Sequence, residues 1–149
     1  MNGWLLDTNV ISEMSSAKPD PRTARWFDSQ PEQALFLSIL TIAEYQKGIE
    51  HLPLGDKRRP RLQRSVAALE ARFRGRVLSV SDPIALRWGA ISGAVKRLTG
   101  HSPSVVDTLL AATAIEHGLY LATRNVLHVE KSGALVFNPW KDNPALFPL

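Results

Sequence analysis

What most constrains this chain is a rhythm of short apolar runs, each too brief for a helix, followed by longer stretches with helical spacing. Trp4-Leu5-Leu6 stops at Asp7, and Leu35-Phe36-Leu37-Ser38 stops shortly before Thr41. Both read as buried strands. Helix-compatible apolar spacing then covers residues 21–29, 41–51, 61–73, 82–98 and 104–117, and Gly118 supplies a stop for the last of these. Further short strands are expected at 77–80, 119–122 and 135–137. Apolar strands that alternate with helices predict an α/β fold whose sheet is mainly parallel and covered by helices on both faces. The clearest loop is 52–56, and the proline-bearing tail from Asn138 onward is expected to run over the surface.

With 149 residues, 44% of them hydrophobic, the chain suits one domain over 1–149 with a real core. It has no cysteine, which excludes disulfides, thiolate zinc sites and cysteine nucleophiles, and suits a reducing cytoplasm. The opening residues put Asp7 after a very short apolar run, unlike a secretory signal, and no run approaches the ~20 apolar residues of a membrane span. A soluble cytoplasmic protein is therefore expected. The net charge of +4 is compatible with a polyanionic partner without selecting one. The densest basic stretch, 56–61 with Arg64, Arg72, Arg74 and Arg76 beyond it, reads as a solvated helix face.

Three acids stand out by position. Asp7 follows a strand directly, at the edge where open α/β sheets bind their ligands, although it could equally cap a helix starting near Val10. Glu44 lies three residues after Thr41, and Asp107 three after Ser104; both spacings match a capping box. Taken singly, each reads as a cap. Taken together, Asp7 at a strand end and the other two in first helical turns can converge at one end of the sheet. Two unit charges ~4 Å apart repel by about 4 kcal/mol at an effective dielectric of 20, so such a cluster calls for a cation or a proton. Hard oxygen donors suit Mg²⁺ or Mn²⁺, and a metal-activated water is a known route to phosphodiester hydrolysis. Other sites find less support. His51, His101, His117 and His128 have no metal-ligand spacing, no nucleophile elbow or phosphate-binding glycine loop is present, and the four tryptophans are too dispersed for a base-stacking platform and are expected in the core or at an interface.

The motifs LLDTNVISE at 5–13, SILTIAEYQKGI at 38–49, SVVDTLLAATA at 104–114, LATRN at 121–125 and FNPW at 137–140 resemble, in order, those of VapC-type PIN domains, particularly the FitB-like branch. The resemblance implies a three-layer α/β/α sandwich with a parallel sheet. It also implies Mg²⁺- or Mn²⁺-dependent endoribonuclease activity, the toxin role in a type II toxin–antitoxin pair, a homodimer, and inhibition by a small DNA-binding antitoxin. Carried over residue by residue, it makes Asp7, Glu44 and Asp107 the catalytic, metal-holding acids. Thr8, Asn9 and Thr123 match pocket-lining positions, with Arg124 beside them. The chain departs from the pattern in the fourth motif, where Asn125 and His128 stand at the two positions that usually offer an Asp; Glu130 is out of that spacing. Glu13 is expected at the surface or supporting the site from outside. The departure leaves a rival reading, a catalytically weakened PIN fold that binds nucleic acid or antitoxin. A phosphatase of another α/β class is a more distant one, since no Asp stands two residues after Asp7.

Overall fold

The computed structural model describes residues 1–149. Strands β1 (Trp4–Leu6), β2 (Leu35–Ser38), β3 (Val77–Leu78), β4 (Tyr120–Ala122) and β5 (Val136–Phe137) form one sheet in the order β3-β2-β1-β4-β5. Every pairing is parallel, with Leu5 level with Phe36 on one side and Leu121 on the other. The helices are α1 (Thr8–Met14), α2 (Pro21–Ser29), α3 (Ile39–His51), α4 (Arg58–Arg72), α5 (Asp82–Thr99), α6 (Val105–His117) and α7 (Val126–Val129).

Side chains alternate between the two faces of the sheet, as the pleat requires. Trp4, Leu6, Leu35, Leu37, Ala122 and Phe137 enter one core with Val10 and Ile11 of α1, Trp26 and Phe27 of α2, and Ile42 of α3. Leu5 and Leu121 point the other way, into a second core with Leu110, Ala111 and Ala114 of α6 and Val129 of α7. Helix α5 packs outside, against α6. The expected α/β/α sandwich with a parallel sheet is the observed one. No helix is long and apolar enough to cross a membrane.

Several boundaries differ from expectation for local reasons. Helix α3 begins at Ile39 because the Ser38 hydroxyl accepts the Leu40 N–H at 3.1 Å, so Thr41 lies inside the first turn and Glu44 is no part of a capping box. Helix α4 starts three residues early, since the Asp56 carboxylate accepts the Arg58 N–H at 2.8 Å and Pro60 is tolerated in a first turn. The tail does not simply run over the surface. Phe147 packs 4.9 Å from Phe137 and 5.3 Å from Tyr120, Asn138 is buried, and the Tyr120 hydroxyl donates to Pro148 O at 2.9 Å.

Three arginines of the basic stretch are structural. Arg59 donates to Ile49 O and Leu52 O, each at 2.9 Å, closing the loop between α3 and α4. Arg72 and Arg76 both grip Glu32, and their guanidinium groups lie over Phe27 and Phe73 respectively. Their donors are therefore engaged before any phosphate arrives.

Candidate active site

The order of strands places a topological switch point between β1 and β4: the chain builds β2 and β3 to one side of β1, then returns to build β4 and β5 on the other. Ligands of open α/β sheets bind outside the carboxyl ends of the strands at such a point. Asp7 follows β1 there, its N–H bonded to Ala122 O of β4 at 3.0 Å.

Asp7 both caps α1 and lines a cleft at this edge. Its Oδ1 accepts the Thr8 N–H at 2.6 Å and so starts α1, while its Oδ2 accepts from Thr123 Oγ1 at 2.6 Å and Asn9 Nδ2 at 3.1 Å. The residue is only 6% exposed. Burial raises its pKa above the ordinary Asp value, the charge of Asp107 adds to the rise, and the bonds from Thr123, Thr8 N–H and Asn9 oppose it. Glu44 on α3 is likewise raised, by partial burial first and then by the charge of Asp7. Asp107 sits in the first turn of α6, where the Ser104 hydroxyl accepts its N–H at 3.4 Å. Only that half of the expected capping box forms, because the Asp107 carboxylate turns to His128 Nδ1, 3.1 Å away.

The three acids share one open cleft of about 1220 Å³ whose lining contains a single hydrophobic residue, Val106. Of the polar residues expected there, Thr8, Asn9, Arg124 and Asn125 do line it. Thr123 and His128 do not. Thr123 is buried beneath Asp7, and His128 holds Asp107 from a smaller recess beside α5 and α6. Asn9 ties the pieces together: its amide donates to Thr123 Oγ1 at 3.2 Å, and its carbonyl accepts the Arg124 N–H at 3.2 Å. Thr8 Oγ1 donates to Thr41 Oγ1 at 3.2 Å, joining α1 to α3.

Sequence reasoning missed Lys47, Gly48 and His51, which form the α3 wall of the cleft. Their spacing from Glu44 at three, four and seven residues was the available signal, since such positions share a helix face. It also missed Ser12. Glu13, expected outside the site, lines the cleft as well; its carboxylate accepts the Asp20 N–H at 2.7 Å and faces Arg124 Nη2 at 3.5 Å.

No three of the acids and histidines stand close enough to make a ready-formed ligand shell. Mg²⁺ needs only one or two protein carboxylates because it keeps several waters, so acids set this far apart still suit it. An all-oxygen donor set in which burial and neighbouring charge raise the pKa values of Asp7 and Glu44 fits a hard divalent ion.

A parallel sandwich with convergent acids at its switch point defines a class, and comparison with known proteins identifies it: the chain belongs to the PIN domain family, whose model matches residues 4–127. Within that family it is similar to the toxin FitB of Neisseria gonorrhoeae, at 37% identity over 93% of this chain and 99% of that protein. It is also similar to the VapC ribonuclease Y4jK of Sinorhizobium fredii, at 36% identity over 92% and 97%. Among solved structures, the FitAcB complex from Neisseria gonorrhoeae superposes with a TM-score of 0.81 at 34% identity, covering 92% of this chain and 98% of that one. FitAB bound to a DNA fragment gives 0.80 at 34%, covering 94% and 97%.

Proposed function

We propose that this protein is a metal-dependent endoribonuclease, the toxin of a type II toxin–antitoxin pair acting in the cytoplasm, with Asp7, Glu44 and Asp107 as its metal-holding carboxylates. The observation that carries the reading is Asp7, a buried acid at the switch point whose pKa is raised by burial and by Asp107 although three donors hold it. Such a group gains from a cation what it lost in hydration. Mg²⁺ or Mn²⁺, when bound, supplies the activated water and stabilises the leaving oxygen of the phosphodiester. The chain's own residues do the positioning. Thr123, Thr8 and Asn9 fix the Asp7 carboxylate, His128 orients Asp107, and Lys47 and His51 on the α3 wall meet phosphates of the RNA.

The relatives' complexes support a small DNA-binding antitoxin as partner, and the family resemblance supports a homodimer. The rival reading, a weakened PIN fold that only binds, draws on Asn125 and His128, neither of which carries an acid at the fourth motif. Cleavage of RNA by the purified protein in Mg²⁺ or Mn²⁺, and not in EDTA, separates the two. Asp7→Asn, nearly isosteric, is expected to abolish cleavage with the fold intact. A variant that cuts at the parent rate would show that Asp7 holds no catalytic ion. Relief of growth inhibition by a co-expressed small neighbouring gene product tests the toxin role.

A further inference from the structure

We propose that Arg124, whose guanidinium lies over the Trp140 ring, is a nucleobase-stacking platform at the edge of the cleft, which binds one unpaired base of the RNA beside the scissile phosphate. The proposal rests on the ribonuclease reading above. The Arg124 guanidinium carbon lies 4.3 Å from the centroid of the Trp140 ring, so one face of the planar group is already occupied by an aromatic. The side chain remains 54% exposed and lines the cleft, which leaves the other face to solvent and to substrate.

Each part of the platform is held. Trp140 packs against the aromatic core, and its backbone N–H donates to Oδ1 of the buried Asn138 at 3.0 Å. Glu13 faces the guanidinium at 3.5 Å and is itself fixed by the Asp20 N–H. The backbone N–H of Arg124 donates to Asn9, whose amide donates to Asp7 Oδ2. One side chain thus links the platform to the carboxylate at the centre of the site. A base held there lies next to the acids.

The geometry favours stacking over simple phosphate capture. Glu13 offsets the charge of Arg124, and what the group still offers is a flat, weakly hydrated face of the kind on which splayed RNA bases stack. Lys47, exposed on the opposite wall, is the contrasting point charge. The tryptophans are dispersed in sequence, and none forms the platform's open face; Trp140 serves from beneath. Because any base has a π-face, the subsite selects for single-stranded RNA and tolerates different bases.

The test is fluorescence anisotropy of labelled single-stranded RNA oligomers on the full-length protein in EDTA, with an abasic nucleotide walked along the oligomer. One abasic position is expected to weaken binding about 5- to 20-fold, the lower part of the range for base stacking. Arg124→Ala and Arg124→Lys should both lose about that factor, and neither should respond further to the abasic position. Lys47→Gln should weaken every oligomer equally and flatten the salt dependence. Arg124→Lys binding like the unmodified protein would make Arg124 a phosphate contact and overturn the proposal. So would an abasic scan without effect on the unmodified protein, a measurement that needs no variant to fold. An abasic scan without effect while Mg²⁺-dependent cleavage is intact overturns the platform alone; absence of both RNA binding and cleavage in the unmodified protein overturns the ribonuclease reading with it.

Discussion

Replacing Thr123 by Val tests the physical core of the site without touching a carboxylate. The Thr123 hydroxyl spends its single proton on Asp7 Oδ2 at 2.6 Å and its lone pairs on Asn9 Nδ2 at 3.2 Å and the Asn125 N–H at 3.0 Å. Val fills the same space, so no cavity opens. A hydrogen bond to a charged group contributes about 1.5–3 kcal/mol, and Asp7 is too buried to recover it from water. At roughly 2–4 °C per kcal/mol for a chain of this size, the melting temperature should fall by about 3–12 °C near pH 8. The loss should depend on pH in a defined direction. Asp7 already has a raised pKa, and Thr123 opposes that rise, so the variant's Asp7 is raised further. A raised acid contributes stability that is present below its unfolded pKa and lost as pH climbs through the folded value. The variant loses more of it. The gap should therefore be smallest below the ordinary Asp range, where Asp7 is protonated in both proteins, and should widen as pH rises through the two raised values. Thermal melts in metal-free buffer from below the ordinary Asp range up to pH 8 decide it, and a gap that is constant with pH would mean that Thr123 matters only for packing.

Divalent ions should raise the melting temperature at pH 8, and the increment should shrink as pH falls through the raised pKa values of Asp7 and Glu44, because protons then compete for the same oxygens. Asn125→Asp should lower the Mg²⁺ concentration for half-maximal cleavage, since it places a negative charge in the cleft beside the three acids, whereas His128→Asp should raise it, because the contact that holds Asp107 is lost; unchanged titrations in both would show that neither position bears on the metal. Phe147→Ala should cost about 2 kcal/mol, roughly half the value for a fully buried Phe, because its ring is only partly buried against Phe137 and Tyr120. A tail that merely crossed the surface would cost almost nothing, and urea midpoints distinguish the two.

The sequence by itself determined the layers. Trp4-Leu5-Leu6 and Leu35-Phe36-Leu37 are apolar on every residue, which only a strand covered on both faces requires, and the helical spacing between them names what covers it. Asp7 and Asp107 were legible because each stands at an element boundary, whereas Glu44 was read into a capping box that does not form and joins them from the second turn of α3. Boundaries themselves were less legible. Ser38 and Thr41 are both competent caps, and only the position at which β2 leaves the sheet decided that Ser38 starts α3 and that Thr41 turns inward to Thr8. The chemistry of the site needed more still. No local pattern joins Thr123 to Asp7, His128 to Asp107, or Trp140 to Arg124, since these contacts span turns and strands whose relative placement depends on where β4 and β5 enter the sheet. Periodicity reports which face of an element is buried; it carries no information about which neighbour lies across the interface. That was settled by the strand order β3-β2-β1-β4-β5, which set the ends of β1 and β4 side by side and so made a lone strand-end Asp into a buried, raised and tightly held carboxylate.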